Sequence, residues 1–185
     1  MIIGICGKSG SGKSTLANEI LKFKRKGIHI DIDKVGHYIL TLPEVKQDLI
    51  DSFGTSILNG DDIDRKKLGS IVFSSKLMMD ILSKITWKYM QLLIDKLIKE
   101  NENNLIILDW ILLSQTKYFH MCDITILLDV SFEERLQRAM LRDKITAEEF
   151  VLRDNASITY NNESFDYVFS NYDIDVKRIL EVVLK

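Results

Sequence analysis

Residues 1–15, MIIGICGKSGSGKST, decide how the rest of the chain is read. Ile2, Ile3, Ile5 and Cys6 form a short apolar run that predicts a buried parallel strand. Gly7-Lys8-Ser9-Gly10-Ser11-Gly12-Lys13-Ser14 then fits G-x-x-x-x-G-K-[ST] at every fixed position. Beyond it, Leu16, Ala17, Ile20 and Leu21 recur at helical spacing. The pattern therefore lies between a predicted strand and a predicted helix, the setting that a phosphate-binding loop (P-loop) requires. Phosphate oxygens must come close to backbone N–H groups, so Gly7, Gly10 and Gly12 leave room for them. The start of the following helix adds unpaired donors and the positive end of a dipole. Lys13 is a point charge for the outer phosphates, and Ser14 Oγ is a natural ligand for magnesium. With Thr15, these residues predict a site for a nucleoside triphosphate. A glycine-rich turn that binds nothing is the competing reading, and the full spacing and both flanks count against it.

Length and composition bound the rest. The 185 residues, 46% apolar and 28% charged, predict one globular domain with a full core. One proline and nine glycines suggest no flexible linker. The first strand starts at once, leaving no room for a signal peptide, and no apolar run reaches about 18 residues. A cytoplasmic protein without membrane partners is expected. Cys6 and Cys122, each in or beside an apolar segment, read as buried thiols in a reducing compartment. A net charge of −2 argues against nucleic acid as a partner. The basic group Lys22, Lys24, Arg25 and Lys26 reads instead as the solvated end of the first helix, closed by Gly27. A small-molecule acceptor is the expected partner, with the chain a monomer or a weak homo-oligomer.

Ile28 to Asp33 predicts a second strand ending in two carboxylates. In an open parallel sheet, strand C-termini rim the ligand crevice, so Asp31 or Asp33 is placed for chemistry. Asp33, farther along, is the expected reactive group, while the other caps or orients. Helices are expected at 34–40, from Thr41-Leu42-Pro43-Glu44 to Phe53, and from about Ile63 to Phe73, with a turn-rich loop at 55–64. A long helix follows from Lys76 to Glu100, whose methionines and aromatics read as packing. Leu105 to Asp109 is four apolar residues and an aspartate, the expected magnesium-side strand. Asp123 to Val130 is a further strand. Ser131-Phe132-Glu133-Glu134 and Thr146-Ala147-Glu148-Glu149 are capping patterns opening two helices around a short loop, 143–145. Arg138 and Arg142 lie four apart on one face of the first. Such a helix–loop–helix suits a lid that carries cations to a transferring phosphoryl group. Tyr167 to Phe169 is a last strand, and Ile174 to Leu184 a closing helix. The order predicts an α/β fold with a parallel five-stranded sheet flanked by helices. Its core would comprise 1–33, 105–131 and 165–185, with a helical acceptor-binding insert at about 34–104 and a lid at about 132–160.

The chain resembles the dephospho-coenzyme A kinases along nearly its whole length. Besides the P-loop, Ile30 to His37 (IDIDKVGH) is similar to the family's D-x-D segment with a following His. Phe53 to Phe73, Leu108 to Leu113 (LDWILL), Arg138 to Asp143, Phe165-Asp166 and Asn171 resemble further family segments. The resemblance implies transfer of the ATP γ-phosphoryl group to the ribose 3′-hydroxyl of dephospho-CoA, the last step of CoA synthesis. It implies Asp33 as acceptor of the hydroxyl proton. Asp31, His37 and Arg65 would lie on the acceptor side, and Arg65 would grip phosphate bidentately. Lys13, Arg138 and Arg142 would neutralise the moving phosphoryl group. Ser14 and Asp109 would hold Mg2+. Four family features differ here: Thr86-Trp87 stands for His-Pro, Ile111 for proline, Gln115 for an acid and Asn155 for glutamine. Two other readings remain open at this stage. One is a kinase for a nucleoside or nucleoside monophosphate. The other is a nucleotide-binding regulator without turnover, which would have no use for a base at the acceptor rim.

Overall fold

The computed structural model describes residues 1–23, 26–170, 179 and 181. In chain order the strands are β1 (Ile2–Cys6), β2 (Gly27–Asp31), β3 (Leu58–Asn59), β4 (Asp62–Ile63), β5 (Leu105–Asp109), β6 (Ile124–Leu128) and β7 (Tyr167–Phe169). The α-helices are α1 (Lys13–Phe23), α2 (Ile32–Ile39), α3 (Pro43–Phe53), α4 (Arg65–Val72), α5 (Lys76–Glu100), α6 (Phe132–Asp143) and α7 (Ala147–Asn155). A five-stranded sheet runs β2-β5-β1-β6-β7, and every pairing in it is parallel. This is the sheet that the alternation of apolar runs and helical periods predicts.

Buried on both faces, the middle strands are near-continuous apolar runs rather than alternating, with Thr125 and Asp109 the polar positions in β6 and β5. All five residues of β5 are buried, Asp109 included. Leu16, Ala17 and Ile20 of α1 pack on Ile3 and Ile5 of β1, Ile107 of β5, Ile126 of β6 and Ile179. Register then fixes the chemistry-bearing ends. Ile5 pairs with Asp109, and Asp109 pairs with Asp31 across β2, so two carboxylates stand side by side at the carboxyl edge.

The chain divides into two compact units, one of residues 1–31 and 101–185 and the other of residues 32–100. In the second unit α5 is the spine, packing on α2, α3 and α4. Met90 is buried there beneath Gly36 of α2, and Tyr89 donates from its hydroxyl to Asp48 Oδ2 of α3 at 2.7 Å. The sulfur and aromatic content of α5 at these positions is therefore packing, as read from the sequence.

Several boundaries differ from expectation. β2 stops at Asp31 and α2 begins at Ile32, so Asp33 lies in the first turn of a helix, not on a strand end. Ile32, Val35 and Ile39 form one buried helical stripe that outweighs the β-branched run before it. An acidic residue is also favoured in a first helical turn. Thr41 caps nothing: its hydroxyl donates to the Tyr38 carbonyl, and Leu42 with Pro43 starts α3. The expected loop at 55–64 contains a short helical turn and the β3–β4 hairpin. Its corner is Gly60 at φ +62°, a left-handed conformation that favours glycine. Asp64 caps α4 by accepting from the N–H groups of Lys66 and Lys67. β6 is shorter at both ends than the 123–130 reading. Lys24, Arg25, Asn171 and most of the closing helix lie outside the described residues, of which Ile179 and Glu181 are helical.

The centre of β1 has no room to spare. A Cβ on Gly4 would sit 2.7 Å from Cys122 Sγ and 3.0 Å from Leu113 Cδ2. Gly4→Ala is expected to cost about 1–3 kcal/mol through overpacking. Cys122→Ala should recover part of that loss in the double variant. Urea unfolding of the four proteins measures it, and equal costs in both backgrounds would show that the clash is not the cause.

Candidate active site

The loop after β1 has the backbone of a phosphate cradle. Gly10 has φ +80° and Gly12 has φ +95°, both in the left-handed region. A Cβ on Gly10 would also lie 2.5 Å from the Arg135 carbonyl oxygen. Ser11 N donates to the Lys8 carbonyl at 3.1 Å, closing the turn, and Leu16 N donates to Gly12 O at 2.9 Å as α1 starts. Ser11 is fully buried, and its Oγ has no hydrogen-bond partner among the described residues. A buried unsatisfied hydroxyl is costly, and one in such a cradle fits a site that a polar ligand completes. Tyr160 braces the loop. Its hydroxyl accepts from Gly7 N at 3.2 Å and donates to the Ile111 carbonyl at 2.7 Å. Burial pushes this phenol well above its ordinary pKa, so it stays protonated and keeps the donating role.

Beside the cradle, Ser14 Oγ donates to Asp109 Oδ2 at 2.6 Å, and His29 Nε2 lies 3.2 Å from the same oxygen. Asp109 is only 3% exposed. Hydroxyl and carboxylate oxygens are hard donors, which suits magnesium. The pair expected to hold the ion is thus together.

The α6–α7 hairpin adds cations. Arg135 is 5% exposed; its Nε donates to the Val130 carbonyl at 3.0 Å. Its Nη1 and Nη2 donate to the two oxygens of Asp154 at 2.6 and 3.3 Å. Lys8 Nζ stands 3.7 Å from Asp154 Oδ2. The Arg135 guanidinium holds the Asp154 carboxyl below the usual carboxylate range. Arg138 Nη1 donates to the carbonyls of Gly10 and Ser11, each at 3.4 Å. Arg142 is elsewhere: its Nε and Nη2 donate to Asp143 at 2.7 and 2.9 Å, and its side chain is 64% exposed. Of the two arginines read as a pair, the structure brings one to the loop. Lys144, in the left-handed conformation, ends α6, and a complete Thr146–Glu149 capping box starts α7.

In the helical unit, Asp33 and His37 are one turn apart on α2, and Arg65 Nη2 donates to His37 Nε2 at 2.8 Å. Arginine carries no acceptor, so this imidazole nitrogen is the unprotonated one. Neither thiol is available as a nucleophile, because burial pushes Cys6 and Cys122 up to about 12.

The family model described as dephospho-CoA kinase matches residues 1–173. This chain belongs to the dephospho-CoA kinase family. The family's dephospho-CoA kinase from Lactobacillus johnsonii is 31% identical over 179 residues, covering 91% of this chain and 88% of its own. That from Carboxydothermus hydrogenoformans is 37% identical over 162 residues, covering 85% and 78%. Among solved structures, TT1252 from Thermus thermophilus superposes with a TM-score of 0.85 at 26% identity, covering 100% of this chain and 96% of that one. Two of the positions singled out in the sequence have local roles in the structure. Ile111 offers its carbonyl to Tyr160. Thr86 turns its hydroxyl back onto the Leu82 carbonyl of its own helix.

Asp154, Tyr160 and His29 were not legible as site residues. Asp154 meets Arg135 from 19 positions away, and Tyr160 meets Gly7 from 153. No local period marks either pair.

Asp154→Asn leaves the buried Arg135 charge without its counter-ion and is expected to cost about 3–5 kcal/mol near neutral pH. The pH dependence has a definite sign. A carboxyl held below its ordinary value of 3.8 stabilises above that pH, and the contribution fades as pH falls through the lower folded value. Acid unfolding of Asp154→Asn below about pH 4 should therefore be the shallower. Parallel acid titrations of the two proteins test this.

Proposed function

We propose that the chain transfers the γ-phosphoryl group of ATP to the ribose 3′-hydroxyl of dephospho-CoA, giving CoA and ADP. The observation that carries this reading is the Ser14–Asp109 pair at the mouth of a complete phosphate loop, in a chain whose family match runs through residues 1–173. The backbone N–H groups of residues 7–15 and Lys13 bind the triphosphate. Ser14 and Asp109 would hold magnesium, which when bound screens the phosphate oxygens. Asp33 takes the proton of the acceptor hydroxyl as its oxygen bonds to the γ-phosphorus and the bond to the β-phosphate oxygen breaks. The leaving group is ADP. Such a transition state is loose, so Asp33 needs position more than an elevated pKa.

Arg65 grips phosphate on the acceptor, and His37, accepting from Arg65, sets the direction of that guanidinium. Asp31 orients the acceptor end. Arg138 adds positive charge over the loop. Arg142 joins it when it exchanges Asp143 for the phosphoryl group, making residues 132–160 a lid on a core of 1–33, 105–131 and 165–185. Residues 34–104 form the acceptor region. No described helix is long and apolar enough to cross a membrane. A cytoplasmic monomer or weak homo-oligomer, with no nucleic-acid partner, suits this work.

ADP release is to be measured with Mg2+ and ATP, offering dephospho-CoA beside a panel of nucleosides and nucleoside monophosphates. Turnover with dephospho-CoA is expected. Asp33→Asn should lower kcat by about 10²–10⁴ while ATP binding survives. Turnover only with another acceptor would replace the substrate. Unchanged transfer in the variant would remove Asp33 as the base.

A further inference from the structure

The second strand carries a residue that the kinase reading does not use. β2 reads Gly-Ile-His-Ile-Asp, with His29 in a strand that otherwise ends in apolar residues and one carboxylate. Alternation along a strand places His29 and Asp31 on the same face. Register places Asp31 beside Asp109 of β5. One ligand atom from each of His29, Asp31 and Asp109 lies within 4.8 Å of the others. His29 Nε2 and Asp109 Oδ2 are 3.2 Å apart, and their side chains are 12% and 3% exposed.

We infer that His29, Asp31 and Asp109 form a site for an imidazole-binding divalent cation, such as Mn2+, Co2+ or Zn2+, that fills in the absence of nucleotide. Ligand atoms about 2.0–2.2 Å from one ion stand about 2.8–3.6 Å from each other across octahedral and tetrahedral geometries. The His29–Asp109 separation already meets that spacing. One nitrogen and two carboxylates suit borderline transition ions, whereas magnesium prefers oxygen ligands and keeps its waters. Two carboxylates in so enclosed a place also gain from a dication, because screening by water is weak there. Because Ser14 and His29 share Asp109 Oδ2, an ion held by the trio draws on the carboxylate that the phosphate loop uses. Occupancy of this site and loading of magnesium nucleotide therefore compete. The inference deepens the reading of Asp109 given above, but the binding itself involves neither ATP nor acceptor.

The test uses the full chain without nucleotide, loaded with Mn2+ and examined by pulsed EPR. Modulation from a directly bound 14N is expected, replaced by 15N coupling when the protein is grown with 15N-histidine. His29→Gln should abolish the signal and weaken Co2+ binding, measured calorimetrically, by at least tenfold. This variant separates His29 from His37 and His120, the other histidines. ATP with excess Mg2+ should displace the Mn2+ from nitrogen. Absence of nitrogen modulation in the unaltered protein overturns the inference and needs no variant. Equal Co2+ affinity in His29→Gln overturns it as well. Bound-nitrogen signals with no turnover on dephospho-CoA would sink the functional reading alone, and turnover without those signals would sink only this one.

Discussion

The hydrogen bond from Ser14 to Asp109 ties the phosphate loop to the sheet. A cradle of inward-facing N–H groups is an unfavourable arrangement for a free chain, since those groups repel one another and lack partners. It persists only where both of its ends are held. One end is β1, paired on both sides by β5 and β6 and buried from Ile3 to Cys6. The other is the first turn of α1, where Ser14 is fastened to the last residue of β5. Asp109 can be in place only because β5 is in register with β1. Sheet register, set by hydrophobic burial, thus determines where a carboxylate stands beside the phosphate loop.

A second constraint comes from the far part of the chain. Arg135 is a buried cation, and such a charge is tolerable only when it is paired and hydrogen-bonded. Asp154, the Val130 carbonyl and the flanking rings of Phe132 and Phe150 supply that setting. The same carboxylate faces Lys8 of the loop. The α6–α7 hairpin is therefore tied to the loop at its base, while Arg142 near its tip pairs with the adjacent Asp143.

Much of this was readable from the chain. The strand, the glycine spacing, Lys13 and Ser14 form one contiguous signal, and its reading as a loop between β1 and α1 needed no tertiary information. The five parallel strands followed from apolar runs separated by helical periods, and α5 was legible to the residue. Less visible was anything set by contacts across the fold. Asp33 moved from strand to helix because burial of Ile32, Val35 and Ile39 overrode local propensity. Thr41 matched a capping pattern, yet its hydroxyl was taken by the Tyr38 carbonyl. Arg138 and Arg142 look equivalent on a helical wheel, but only the first is near enough to the loop to donate to it. Asp154 and Tyr160 act through partners that no spacing rule reaches.

The two cysteines bear on a hazard peculiar to this chemistry. Dephospho-CoA and CoA both end in a thiol, so an enzyme that handles them meets sulfhydryl groups, and their disulfides, at every cycle. Exchange requires a thiolate on the protein. Cys6 lies immediately before the phosphate loop, yet both its thiol and that of Cys122 are pushed up to about 12. At neutral pH each is almost wholly protonated, and Cys6 is fully buried while Cys122 is partly so. Its own sulfurs therefore offer such a cargo no thiolate with which to exchange.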